Sequence, residues 1–292
     1  MPDGRKIEVL IAGPAGGLPL VLHEGTPVGL VLYSPTVRAA QVRGLRVIVA
    51  ARPGYEGSTP RPGRRVVDVA GDTAAVLDEL GADTFVTMGW SGGGPHTLAC
   101  AAALPGRCLA AASIAGVAPH QAEGLDWLAG MGPENVDEFG AAAAGKAALT
   151  QFLDSAAAAL GTVTGADVAQ ALGGLVIAAD HAALTGEFAN YVTAALRASM
   201  NTGIAGWRDD DLAFVSDWGF SPGGAPGTPT APVAIWQGDQ DKMVPFAHGQ
   251  WLAASIPGAR AHLLPGEGHL SLTVSSLDRI LDDLLDLAGQ NP

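Results

Sequence analysis

Thr87-Met88-Gly89-Trp90-Ser91-Gly92-Gly93-Gly94-Pro95 is the stretch that decides how this chain is read. Upstream, Thr84-Phe85-Val86-Thr87-Met88 is short, apolar and β-branched, as a buried strand is. Downstream, Thr97 to Ala103 is rich in alanine and carries Leu98, the composition of a helix. Between them stands Gly-x-Ser-x-Gly with Ser91 at its centre. A strand that turns directly into a helix strains the turn residue and needs small neighbours, and Gly89 and Gly93 supply the room. Such a turn holds the Ser91 hydroxyl out at the carboxyl edge of a sheet. The amides and positive dipole end of the following helix lie beside it. In a chain with 40 glycines the same pattern also fits a tight turn without chemistry. The rest of the chain decides between the two.

The 292 residues are enough for one α/β core with an insertion, and 48% hydrophobic residues allow a sizeable core. No run approaches the ~18 to 20 apolar residues that a membrane span requires. Met1-Pro2-Asp3-Gly4-Arg5-Lys6 is not followed by an apolar signal region, so a soluble, cytoplasmic protein is expected. The net charge of −13 argues against nucleic acid and anionic membranes as partners and is most simply a matter of solubility; the partner expected is a small-molecule substrate. Cys100 and Cys108 have no metal or redox spacing.

Strands are expected over Lys6–Ala12, Leu18–His23, Arg46–Ala50 and Leu109–Val117, with helices over Thr36–Val42 and Val66–Leu80. This alternation implies a mostly parallel sheet covered by helices on both faces. In such sheets the working groups gather at the carboxyl ends of the strands. From Pro119 the rhythm changes. Val136–Leu160, Asp167–Leu175 and Glu187–Met200 are helical in character, and a Gly/Pro-rich linker over Ser221–Pro229 closes the stretch. Alternation then resumes with strands at Val233–Gln237 and Ala259–Leu264 and helices at Pro245–Ala254 and Leu277–Leu287. The expected division is a core of 1–118 and 230–292 and a helical insertion of 119–229.

A serine needs a base within reach, and the base needs an orienting carboxylate. Asp241, or its neighbour Asp239, follows the Val233 strand, and His269 follows the Ala259 strand. Each has an ordinary alternative as a turn former or loop residue. Their coincidence with Ser91 at one end of parallel strands favours a nucleophile, base and acid.

Five segments carry a resemblance: Glu24-Gly25-Thr26-Pro27, Arg52-Pro53-Gly54-Tyr55-Glu56-Gly57-Ser58, Gly89-Trp90-Ser91-Gly92-Gly93, Gly238-Asp239-Gln240-Asp241-Lys242-Met243-Val244-Pro245 and Pro265-Gly266-Glu267-Gly268-His269. On these the chain resembles the α/β-hydrolase superfamily, in the branch with a helical cap inserted after the sixth strand. The resemblance implies Ser91 as nucleophile, His269 as base and Asp241, rather than Asp239, as acid. It implies a cofactor-free, metal-free enzyme of the esterase or proline-iminopeptidase type. Its oxyanion hole would be the amides of Thr26 and of Gly92, the latter preferred over Trp90. Many relatives have His where this chain has Glu24. That carboxylate is expected either to pair with Arg52 or to stand solvated at the pocket mouth, where it would select against anionic substrates. Glu24 and Trp90, with Trp127, Met131, Trp218, Phe220 and Met243, are candidates for substrate contact. Asp209, Asp210 and Asp211 read as a solvated turn, or as ligands for a substrate amino group.

Overall fold

The computed structural model describes residues 1–164, 167–224 and 230–290. Seven strands form one sheet: β1 (Val9–Ala12), β2 (Leu18–His23), β3 (Leu45–Ala50), β4 (Phe85–Trp90), β5 (Cys108–Ile114), β6 (Val233–Gly238) and β7 (Arg260–Leu264). Their order is β1-β3-β2-β4-β5-β6-β7. Only β1 runs antiparallel, against β3; every other pairing is parallel. The helices are α1 (Ser34–Gln41), α2 (Asp68–Glu79), α3 (Gly93–Ala103), α4 (Pro133–Ala144), α5 (Lys146–Leu160), α6 (Val168–Ala171), α7 (Ala178–Ala183), α8 (Gly186–Met200), α9 (Ala205–Phe214), α10 (Phe246–Ser255) and α11 (His269–Leu287).

Strand periodicity builds two cores, because successive side chains leave opposite faces. Leu20, Leu22, Val47, Val49, Val86, Met88, Ala234 and Trp236 pack on one face with Ile280, Leu281 and Leu284 of α11. The residues between them, including Val21, Ile48, Phe85, Val233 and Ile235, pack on the other face. There they meet Leu77 of α2, Leu98 of α3 and Leu252 of α10.

The helical stretch follows β5, the last strand before Pro119 among the described residues. Its helices bury cores of their own around Trp127, Phe139, Leu149, Leu153 and Trp207, and around Phe188, Val192 and Leu196. The stretch over 136–160, expected to be helical in character, holds two helices, broken where Gly145 takes φ 109°, a conformation open to glycine. Residues 225–229, the end of the expected linker and insertion, lie outside the described residues. No described helix is long and apolar enough to cross a membrane.

Candidate active site

Ser91 occupies the turn between β4 and α3 at φ 55°, a strained value for a residue with a side chain. The crowding around it explains the glycines. A Cβ on Gly89 would lie 2.2 Å from the Gly93 carbonyl oxygen, and one on Gly93 would lie 1.8 Å from the His23 carbonyl oxygen. The turn is anchored by the Ser91 amide donating to Ile114 O of β5 at 2.8 Å.

The parallel register brings the ends of β2, β4, β6 and β7 to the same edge. There His269 Nδ1 donates to Asp241 Oδ2 at 2.8 Å. The other Asp241 oxygen accepts the amides of Met243 and Val244, both at 2.9 Å, and Gln237 Nε2 adds a donor to Oδ2 at 3.1 Å. A carboxylate with four donors is held as an acceptor, which fixes Nδ1 as the protonated ring nitrogen and leaves Nε2 free. Asp239 is exposed and accepts the Gly266 amide instead. The Trp90 ring lies 5.4 Å from the His269 ring, and its indole N–H donates to His269 O at 3.3 Å.

Ser91, His269, Gly92, Thr26, Trp90 and Met243 open on one cavity of about 360 Å³. Among the described residues no hydrogen bond joins the Ser91 hydroxyl to His269; such pairs often tighten only around a substrate. Gly92 and Thr26 press together: a Cβ on Gly92 would meet Thr26 Oγ1 at 2.5 Å. No carbonyl among the described residues takes either amide in a turn or loop bond. The remaining wall combines apolar groups such as Phe152, Leu160 and Leu196 with the carboxyls of Glu134, Asp137, Glu138 and Asp211.

Four expected contacts stand outside this cavity. Trp127, Met131 and Trp218 are buried, with Phe220 packed against them. The indole N–H groups of Trp127 and Trp218 are spent on the Ala118 and Phe214 carbonyls. Large aromatic surface in a helical layer is used here to hold that layer together.

Glu24 corrects a second expectation. It neither pairs with the Arg52 guanidinium nor stands in solvent. Tyr191 of α8 donates its hydroxyl to Glu24 Oε2 at 2.8 Å. Burial pushes the Glu24 carboxyl up to about 7, against the pull of Tyr191 and Arg52. Glu24 borders a smaller neighbouring cavity of about 50 Å³ with Tyr33 and Phe188, not the one that holds Ser91.

Arg52 turns instead to Asp210 of α9, at 2.6 Å. Its remaining donors reach the Glu24 carbonyl at 2.6 Å, the Gly25 carbonyl at 2.9 Å and Thr26 Oγ1 at 3.0 Å. Asp210 also meets Arg64 at 2.9 Å, the Tyr55 hydroxyl at 2.9 Å and the Thr26 hydroxyl at 2.9 Å. Burial pushes the Asp210 carboxyl up, but Arg52 and Arg64 overcome it and hold it well below the usual carboxylate range. The run 209–211 is therefore a buried part of α9 and not a solvated turn. Asp211 faces Glu138 across the cavity wall. Burial and that neighbour push the Asp211 carboxyl well above the ordinary range. Glu138 Oε1 accepts the Trp207 indole N–H at 2.6 Å. Arg52 and Arg64, two cations between β3 and α2, are a signal in the sequence that could have pointed to a buried acid.

A sequence profile of the α/β-hydrolase fold family matches residues 19–275. The chain belongs to the α/β-hydrolase fold family. A protein named "Non-heme chloroperoxidase" from Streptomyces lividans is 33% identical to this α/β-hydrolase over 144 residues, 49% of this chain and 52% of that one. The chain thus spans about half the length of the curated relative it matches. Among solved structures, an α/β-hydrolase fold protein from Nakamurella multipartita is 26% identical, with a TM-score of 0.61 over 97% of this chain and 96% of that one. The enol-lactonase from Burkholderia xenovorans is 20% identical, with a TM-score of 0.65 over 97% and 98%. The latter likeness speaks for the fold of this α/β-hydrolase alone.

Proposed function

We propose that this chain is a cofactor-free serine hydrolase that cleaves an ester-type bond in a small molecule. The observation that carries the reading is the Asp241–His269 hydrogen bond of 2.8 Å on the cavity where Ser91 is held at φ 55°. In this reading His269 Nε2 takes the Ser91 proton as Oγ attacks the substrate carbonyl. The amides of Gly92 and Thr26 hold the oxyanion. His269 then gives the proton to the leaving alkoxide, and a water attacks the acyl-enzyme by the same route in reverse. The helical stretch between 119 and 229 serves as a cap over the site, with its apolar wall receiving the acyl group.

A second reading has an observation of its own. The Glu138–Asp211 pair on the cavity wall suits a substrate amino group, as an aminopeptidase or amidase would require. A third, a binding protein without turnover, shares the cavity but predicts an unreactive serine. One set of measurements separates them. A fluorophosphonate probe is expected to label Ser91. p-Nitrophenyl esters of graded chain length, lactones and aminoacyl p-nitroanilides are then compared. Peroxide, as acceptor in place of water, is added because of the name its Streptomyces relative carries. Ser91→Ala is expected to abolish labelling and lower kcat by about three to six decades. Near-wild-type turnover in that variant refutes the assignment. Preference for aminoacyl anilides over esters moves the function to the amidase reading.

A further inference from the structure

α11 begins at His269, so the residue proposed as base is the first helical residue and the amides after it have no intrahelical partners. Two of those amides are taken by a side chain from the helical stretch. Leu270 N and Ser271 N donate to Asp180 Oδ1 at 2.8 and 2.9 Å. The other oxygen, Oδ2, accepts the Ile177 amide at the start of α7, at 3.2 Å. Asp180 is fully buried, and no lysine or arginine pairs with it among the described residues. Its ligands are backbone donors and the positive end of a 19-residue helix. The fit is close: a Cβ on Gly268 would lie 2.3 Å from Asp180 Oδ2. The helix start has a local cap as well, since Gly268 N donates to Ser271 Oγ at 2.8 Å. Asp180 is therefore an additional anchor, brought in from 90 residues away in sequence.

We infer that Asp180 is a positioning residue for His269: through this carboxylate the helical stretch fixes the first turn of α11 and the direction of the imidazole. The inference rests on His269 acting as the base. Asp180 touches neither substrate nor Ser91; it acts on the backbone that carries the ring. A base displaced by an ångström loses most of its effect on rate while the cavity that binds substrate is unchanged.

The test uses four variants of the whole chain: Asp180→Ala, Asp180→Asn, Gly268→Ala and the double variant Asp180→Ala/Gly268→Ala. Asp180→Ala is expected to lower kcat and the rate of fluorophosphonate labelling at Ser91 by about 10- to 100-fold, with KM changed less than threefold. Hydrogen exchange at the Leu270 and Ser271 amides is expected to quicken at least tenfold. Asp180→Asn keeps an acceptor oxygen for both amides and is expected to stay within about threefold of the parent kcat. Gly268→Ala forces the carboxylate away and is expected to cost about tenfold in kcat. The same change costs less than twofold once Asp180 is alanine, because the clash is gone. If the alanine variant fails to fold, Asp180→Asn and Gly268→Ala decide the matter on the same kcat and KM criteria. A parent chain that labels normally, with a folded Asp180→Ala chain of unchanged kcat, overturns the inference alone. So do equal losses in the alanine and asparagine variants, or additive losses in the double variant. A parent chain that neither labels nor turns over ends the hydrolase reading and this inference together.

Discussion

Glu24 shows what one buried carboxyl does at the edge of a site. Burial pushes it up to about 7. Unfolded, Glu24 releases its proton near its ordinary value of 4.5, and folded it holds the proton to about 7. The folded state binds more protons across that window, so the contribution of Glu24 to stability falls as pH rises from 4.5 to 7 and is level above it. Glu24→Gln keeps an acceptor for the Tyr191 hydroxyl and removes the charge. Its gain in stability over the parent should be larger at pH 8 than at pH 5 by about 1–3 kcal/mol, read from denaturant midpoints. Parallel curves for the two proteins count against a buried, titrating Glu24. The sequence marked Glu24 as unusual but offered Arg52 or solvent as its neighbour, not Tyr191. Tyr191 is 167 residues away, on a helix whose docking no local pattern reports. The proximity of Asp241 and His269 was legible, because parallel strands deliver their ends to one edge whatever lies between them.

The strand-turn-helix unit around Ser91 is sensitive at Gly89 and Gly93, and the chain is tolerant at other glycines. Gly93→Ala places a methyl group on the His23 carbonyl, a backbone atom that cannot rotate away. A loss of about 1–3 kcal/mol is expected, together with loss of probe labelling at Ser91. Gly71 lies inside α2 with nothing within 4 Å of an added Cβ. Gly71→Ala should therefore stabilise by about 0.5–1 kcal/mol through helix propensity. Thermal unfolding of the pair checks both signs. The strands were readable to within a few residues because a period of two and β-branched composition are local properties. α11 was read eight residues short, from Leu277. Its first turns contain Thr273, Val274, Ser275 and Ser276, weak helix formers in isolation. Packing of Leu270 and Leu272 and the Asp180 carboxylate override that propensity. α9 was hidden by its three consecutive aspartates, a run that reads as solvated until Arg52 and Arg64 are placed against it.

Across the whole molecule the helical stretch and the sheet are joined by buried charge. Asp210 of α9 pairs with both Arg52 and Arg64 of the sheet-edge loops, and all three are buried. Removing one member of such a set leaves uncompensated charge in the interior, a loss that buried pairs put at about 3–5 kcal/mol. Asp210→Ala should fall in that range by denaturant unfolding. It should also lower kcat, since Arg52 holds the Glu24 and Gly25 carbonyls beside Thr26. A loss below about 1 kcal/mol would mean that water reaches the two guanidiniums. The same linkage bears on how such a protein can diversify. A helical stretch transplanted from another family member would need a carboxylate at the place of Asp210, or two interior guanidiniums would be left without their partner. Donor and recipient must agree on this ionic joint, or both sides of it must be rewritten together.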